Sequence, residues 1–153
     1  MKIALGSDHA GYEVKEFLRG YVQELGHEVE DLGAFSSEPS DYPDWARKVA
    51  EAVASGGADR GLLVCGSGLG AAIAANKVPG ARAGSVSDTY SAAQGVEHDD
   101  MNVLAVGARV LGIEVIKGVV KAYLGAKFTG EERHARRLAK VQAIESHYSK
   151  VSE

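Results

Sequence analysis

The chain predicts an α/β fold in which a five-stranded parallel sheet lies between two layers of helices. Three observations carry that expectation. Short β-rich apolar runs alternate with longer stretches of helical period, the pattern of repeated strand–helix–strand units. The run Leu62-Leu63-Val64 is apolar without interruption, as expected of a strand covered on both faces. Between the first two runs, Val14, Phe17, Leu18, Tyr21, Val22 and Leu25 recur at helical spacing, and Gly26 closes the segment.

Taken in order, residues 2–5 form a first strand and residues 12–25 a first helix. The apolar residues of that helix share one stripe, and Glu13, Lys15, Glu16 and Arg19 fall mainly outside it. A second strand at 27–32 leads to a helix at 42–55. A third strand, 61–65, ends at the only cysteine and passes through a glycine-rich turn into an alanine-rich helix at 70–76. Strand 81–86, helix 89–97, strand 103–106 and helix 113–124 complete the alternation. The last element is a polar helix at 131–149, where Leu138, Val141, Ile144 and Glu145 form a thin stripe. Such a helix packs on a neighbouring element or on a second subunit. No linker, low-complexity run or internal repeat divides the chain. It therefore reads as a single Rossmann-like three-layer domain spanning 1–153, with the C-terminal helix as an addition. Ligands of such sheets sit outside the carboxyl ends of the strands, and the four motifs below are expected there.

Bulk properties narrow the function. The composition is 45% hydrophobic and 25% charged, ordinary for a globular protein. No segment approaches the ~20 apolar residues of a membrane span, and the N-terminus lacks the apolar core of a signal peptide. One cysteine cannot form an internal disulfide, so the cytoplasm is the expected location. A formal net charge of −4 argues against general affinity for nucleic acid or membrane.

The first motif is Cys65-Gly66-Ser67-Gly68-Leu69-Gly70, between a strand and a helix. Its backbone amides and a helix N-terminus would converge on one small volume, with a thiol at the edge. A helix N-terminus favours thiolate, which is a nucleophile or a base. The plain alternative is a tight turn holding a small buried hydrophobe. The spacing fits neither the dinucleotide fingerprint nor a P-loop. An anion cradle without a cofactor motif suits a small phosphorylated or enolate-forming substrate.

The second motif, Gly6-Ser7-Asp8-His9-Ala10-Gly11, follows the first strand. It is either a helix cap with an exposed neighbour, or a carboxylate for sugar hydroxyls beside an imidazole for phosphate. The third, Glu97-His98-Asp99-Asp100-Met101-Asn102, reads as a polar loop before a strand. Its histidine is either solvated or a proton-transfer group, and Asp99 and Asp100 could stabilise the imidazolium. The fourth, Arg133-His134-Ala135-Arg136-Arg137, puts Arg133 and Arg137 on one helix face, either solvated or gripping phosphate. Arg109, just past a strand end, could add a third positive group. His9, His98 and Cys65 are too scattered for ligand spacing, so no metal site is expected.

Together these residues resemble the type B ribose-5-phosphate isomerases, a family that also includes galactose-6-phosphate isomerase subunits. The resemblance extends through Asp41-Tyr42-Pro43, Ile73-Ala74-Ala75-Asn76-Lys77, Asn102-Val103-Leu104, Gly107-Ala108-Arg109-Val110 and residues 130–137. It implies an aldose–ketose isomerase without metal or cofactor. Cys65 matches the base that moves a proton between C1 and C2, and Ser67 matches a group that assists transfer between the oxygens. The amides of Gly66, Ser67, Gly68, Leu69 and Gly70 match the anion hole for the enediolate. His98 matches the residue that opens the furanose, and Asp8 matches a contact to substrate hydroxyls. His9, Arg109, Arg133 and Arg137 match the phosphate grip. The resemblance also implies a homodimer or tetramer whose site lies between subunits, with the His98 and Arg109 segments reaching in from the neighbour.

The family commonly carries Asn after the ring-opening histidine, where this chain has Asp99. A carboxylate accepts where an amide donates, which bears on the choice of sugar. Two rivals follow: the same chemistry on a six-carbon phosphosugar such as allose or galactose 6-phosphate, and a non-catalytic phosphosugar-binding module. A mere binder needs no base, which speaks against the second.

Overall fold

A computed structural model describes residues 1–149 of the chain. Its elements run β1 (Lys2–Ser7), α1 (Tyr12–Glu24), β2 (Glu28–Asp31), α2 (Tyr42–Ala54), β3 (Arg60–Cys65), α3 (Leu69–Ala75), β4 (Ala83–Ser85), α4 (Thr89–Asp99), β5 (Val103–Gly107), α5 (Ile113–Gly125) and α6 (Glu132–Tyr148). Every strand pairing is parallel, and the order across the sheet is β2-β1-β3-β5-β4. This is the α/β architecture expected; residues 150–153 of the anticipated 1–153 domain lie outside the described residues.

Side chains alternate across the sheet and build a core on each face. Leu62, Val64, Leu104 and Val106 point to one face, where Leu18 and Val22 of α1, Ala92 and Val96 of α4, and Ile116, Val119 and Val120 of α5 cover them. Leu63, Cys65, Val103 and Ala105 point to the other, under Ala46, Val49 and Ala50 of α2 and Ala71, Ala72 and Ala75 of α3. Strands buried on both sides must be apolar at every position, which is why β3 and β5 show no polar alternation.

The order of strands positions the site. After β1 the chain leaves toward β2, and after β3 it leaves toward β4. The carboxyl ends of these adjacent strands therefore open a crevice between diverging connections.

Three expectations are corrected. Strand β4 is shorter than 81–86, because Ala81 turns back to Val78 and the Arg82 N–H bonds the Asn102 side chain at 2.7 Å instead of a strand. Helix α4 continues through His98 and Asp99, which are not in a loop. It ends where Asp100 adopts a left-handed conformation at φ 50°, with Asp100 N–H bonded to Val96 and Met101 N–H to Gly95. Lys15, expected outside the apolar stripe of α1, is fully buried and paired with Asp31 at 2.7 and 2.8 Å. A charged lysine is rarely buried without such a partner.

Candidate functional site

The crevice outside β1 and β3 holds a cavity of about 390 Å3, lined by Asp8, Tyr42, Cys65, Gly66, Ser67, Gly70, Arg109 and Val110. Cys65 ends β3 and is 4% exposed. The chain then turns through Gly68, whose φ of 83° suits glycine. That turn aims the Gly68 N–H at the Cys65 sulfur, at 3.1 Å. An N–H donor at that distance stabilises negative charge on sulfur. The Ser67 hydroxyl is exposed and accepts the Leu69 N–H at 3.2 Å. Close approach is enforced from behind: a Cβ on Gly107 would lie 2.6 Å from the Ser67 carbonyl oxygen. The loop thus rests directly on the end of β5.

Asp8 is 8% exposed, and one carboxylate oxygen accepts the Gly11 N–H at 3.1 Å. Its capping role and its place on the cavity wall are compatible, since a carboxylate has a second oxygen to offer. His9 lies beside it, outside the lining set, with Nδ1 3.1 Å from both the N–H and the carbonyl of Ser40. When Nδ1 accepts the Ser40 N–H, Nε2 carries the proton and can donate to an anion. Arg109 is exposed, and its backbone N–H bonds the Gly66 carbonyl at 3.0 Å. Its side chain runs along Gly66 of its own chain, so the expectation that a neighbour delivers Arg109 to this loop is not met.

A second cluster forms elsewhere. His98, in the last turn of α4, stacks on His134 of α6 with ring centres 4.0 Å apart. His134 is 3% exposed and its Nδ1 meets the Thr129 hydroxyl. Burial, then the His98 ring, then the charges of Arg133 and Arg137 hold His134 below the usual histidine range, with Glu131 opposing. Arg133 is exposed and lies 3.3 Å from Glu131, whereas Arg136 pairs with Glu132 at 2.8 Å. Arg137 is exposed on the same turn, and Asp99, also exposed, ends α4.

The two clusters do not meet within one chain. Helix α4 runs back against the strands, so His98 lies near the start of β5, at the sheet's amino edge. The Cys65 loop lies at the other edge. The five residues of β5 separate them, on the order of 16 Å at ~3.3 Å per residue. The expectation that every motif falls at a carboxyl strand end therefore fails for the third and fourth motifs, around His98–Asp99 and Arg133–Arg137. A further cleft of about 430 Å3 between α4, α6 and β4 includes Asp99 but none of the other candidates.

Sequence reasoning missed Tyr42 as a wall of the cavity. Its ring packs on Gly70, where a Cβ would lie 2.8 Å from Tyr42 Cζ. It also missed His134, hidden among arginines that suggested a solvated face. The signal was the unequal spacing: at ~100° per residue, His134 lies about 60° from Arg137 but about 160° from Arg136. Among the described residues, no three His, Cys, Asp or Glu side chains come together as a metal site, and no helix is long and apolar enough to cross a membrane.

Residues 3–141 match the family model described as Ribose/Galactose Isomerase. The chain is 49% identical over 144 residues to the ribose-5-phosphate isomerase B of Escherichia coli K12, covering 94% of this chain and 96% of that one. It is 41% identical over 148 residues to the D-erythrulose-4-phosphate isomerase 2 of Mycolicibacterium smegmatis, covering 95% and 97%. Among solved structures, the ribose-5-phosphate isomerase B of Clostridium thermocellum superposes with a TM-score of 0.94 at 48% identity, covering 97% of this chain and all of that one.

Proposed function

The chain belongs to the ribose/galactose isomerase family, and from that premise we propose that it interconverts D-ribose 5-phosphate and D-ribulose 5-phosphate through a cis-enediolate, without a metal ion. One observation carries the chemistry: a buried thiol on the wall of a cavity, with a backbone N–H on its sulfur and a glycine loop beside it. The Cys65 thiolate takes the proton from C2 of the open-chain aldose. Amides of Gly66, Ser67 and Gly70 hold the developing oxyanion, while those of Gly68 and Leu69 stay on the Cys65 sulfur and the Ser67 hydroxyl, and that hydroxyl passes a proton from O2 to O1. Cys65 then returns its proton to C1, leaving the ketose. Removing one such oxyanion donor typically costs about 100- to 1,000-fold in rate. An assay with ribose 5-phosphate and an added chelator tests this reading: turnover unaffected by the chelator is expected, and no turnover would overturn it.

The working site is shared between two copies. His98, Asp99, Arg133 and Arg137 of one chain complete the Cys65 pocket of another, in a homodimer or a tetramer. Support comes from the separation of the clusters and from apolar side chains around the pocket. Leu69, Ile73 and Val110 are 60–62% exposed, and a second copy would cover them. In this arrangement His98 opens the furanose by moving a proton from the anomeric hydroxyl to the ring oxygen. Asp8 accepts sugar hydroxyls, and His9, Arg109, Arg133 and Arg137 hold the phosphate.

Neighbouring arginines should then differ. Arg133→Ala and Arg137→Ala should each raise the KM for ribose 5-phosphate at least ten-fold, since each removes a charge-assisted bond worth roughly 1.5–3 kcal/mol. Arg136→Ala, which loses only its partner Glu132, should change KM little. An equal loss in all three would remove the assignment.

Asp99 tunes the choice of sugar, because it accepts where an amide would donate. Asp99→Asn should shift the ratio of kcat/KM between five- and six-carbon phosphosugars by about ten-fold, one moderate hydrogen bond at ~1.4 kcal/mol. An unchanged ratio would mean that the side chain does not reach the substrate.

A further inference from the structure

Among the described residues Lys15 is the one buried lysine or arginine. Its ammonium contacts Asp31 at 2.7 and 2.8 Å and Glu16 at 3.1 Å. A buried ion pair is rarely needed for stability, since apolar residues of similar volume often serve as well. What this pair holds is therefore informative. Asp31 also accepts the Gly33 N–H at 3.0 Å. The Gly33 carbonyl accepts the Ser7 N–H, and the Ala34 N–H donates to the Ser7 carbonyl, both at 2.7 Å. Ser7 directly precedes Asp8. A second route is aromatic. The Lys15 ammonium lies 5.5 Å from the centre of the Phe35 ring, close enough for cation–π attraction. Phe35 meets Trp45 edge-on at 6.4 Å, and Trp45 Nε1–H donates to the Ser40 hydroxyl at 3.0 Å. The Ser40 backbone holds His9 Nδ1.

We propose that Lys15 and Asp31 are positioning residues for substrate binding: their ion pair fixes the 31–41 segment, and through it the backbone at Asp8 and the ring of His9. This rests on the reading of Asp8 and His9 as contacts to the sugar hydroxyls and the phosphate. The pair touches no substrate itself. It trades a desolvated charge for a loop held at both ends.

The test compares wild type, Lys15→Met, the double variant Lys15→Met/Asp31→Leu, and Trp45→Phe. Melting temperature, kcat and KM for ribose 5-phosphate, and affinity for inorganic phosphate are measured for each. Lys15→Met takes the nearest cation from the half-buried Asp31, leaving it only Arg19 at 3.9 Å, and should melt earlier. The double variant removes both charges and should regain most of that loss. It should nevertheless keep kcat within about three-fold while KM rises about ten-fold and phosphate affinity falls in step. Trp45→Phe, with the ion pair intact, should raise KM several-fold through the loss of the Ser40 bond. A double variant that regains both melting temperature and KM would show a purely structural pair and overturn the proposal. So would an unchanged KM in Trp45→Phe. If wild type bound phosphate without turning over ribose 5-phosphate, the substrate assignment would fail, and the phosphate affinities alone would decide the role of the pair.

Discussion

Cys65→Ala should lower the turnover of ribose 5-phosphate by about two to four orders of magnitude, the usual range for loss of a positioned proton-transfer group. Substrate should still bind, because the groups assigned to the phosphate and hydroxyls are untouched. The reason lies in the loop. Alanine is smaller than cysteine and stays apolar, so the buried end of β3 keeps its packing, while the Gly68 N–H loses the sulfur it points at. The residues that follow the loop, Ala71 and Ala72, carry no ionisable group that could stand in for the thiol. The decisive measurement is exchange of the substrate C2 proton with solvent. Near-normal exchange in Cys65→Ala would remove the thiol from the mechanism.

His98→Asn should lower the turnover of cyclic ribose 5-phosphate by about 100-fold. Solvent exchange at C1 of ribulose 5-phosphate should survive nearly intact, because the ketose cannot close a furanose ring and reaches the enediolate without ring opening. Equal loss of exchange and turnover would place His98 in the proton transfer itself. The two inactive variants also test the shared site. In a mixed dimer of Cys65→Ala and His98→Asn chains, one site carries both defects and the other carries neither. Mixing and reassociation should therefore restore activity well above that of either parent. Sites contained within one chain would stay inactive.

Much of the architecture was legible because it is written in local periodicity. The apolar runs and the α1 stripe need only the neighbours a few residues away, and every expected element is present. Lys15 was not legible, because the partner that allows its burial is Asp31, on another strand. Pattern alone assigns an isolated charge to solvent. The polar run Glu97, His98, Asp99 and Asp100 reads as a loop in sequence, whereas the helix ends only where Asp100 turns left-handed. The candidate residues were nameable from the sequence, but their division into two clusters was not. That division follows from the antiparallel run of α4 against the sheet, which carries His98 to the edge opposite Cys65. Arg109 illustrates the converse: a backbone bond to Gly66 fixes it to its own chain's pocket.

The two outer strands of the sheet are its shortest, four residues in β2 and three in β4. They offer few unpaired amides to a passing chain. Strand β2 is also strongly acidic, with Glu28, Glu30 and Asp31 on four consecutive positions. Short outer strands carrying charged side chains disfavour growth of the sheet from one molecule into the next. The longer, apolar strands β3 and β5, which would template fibrils if exposed, are confined to the interior of the sheet. The fold thus separates wanted from unwanted association: copies that join through helices and loops leave the sheet closed, and resistance to aggregation is built into the choice of which strands stand outermost.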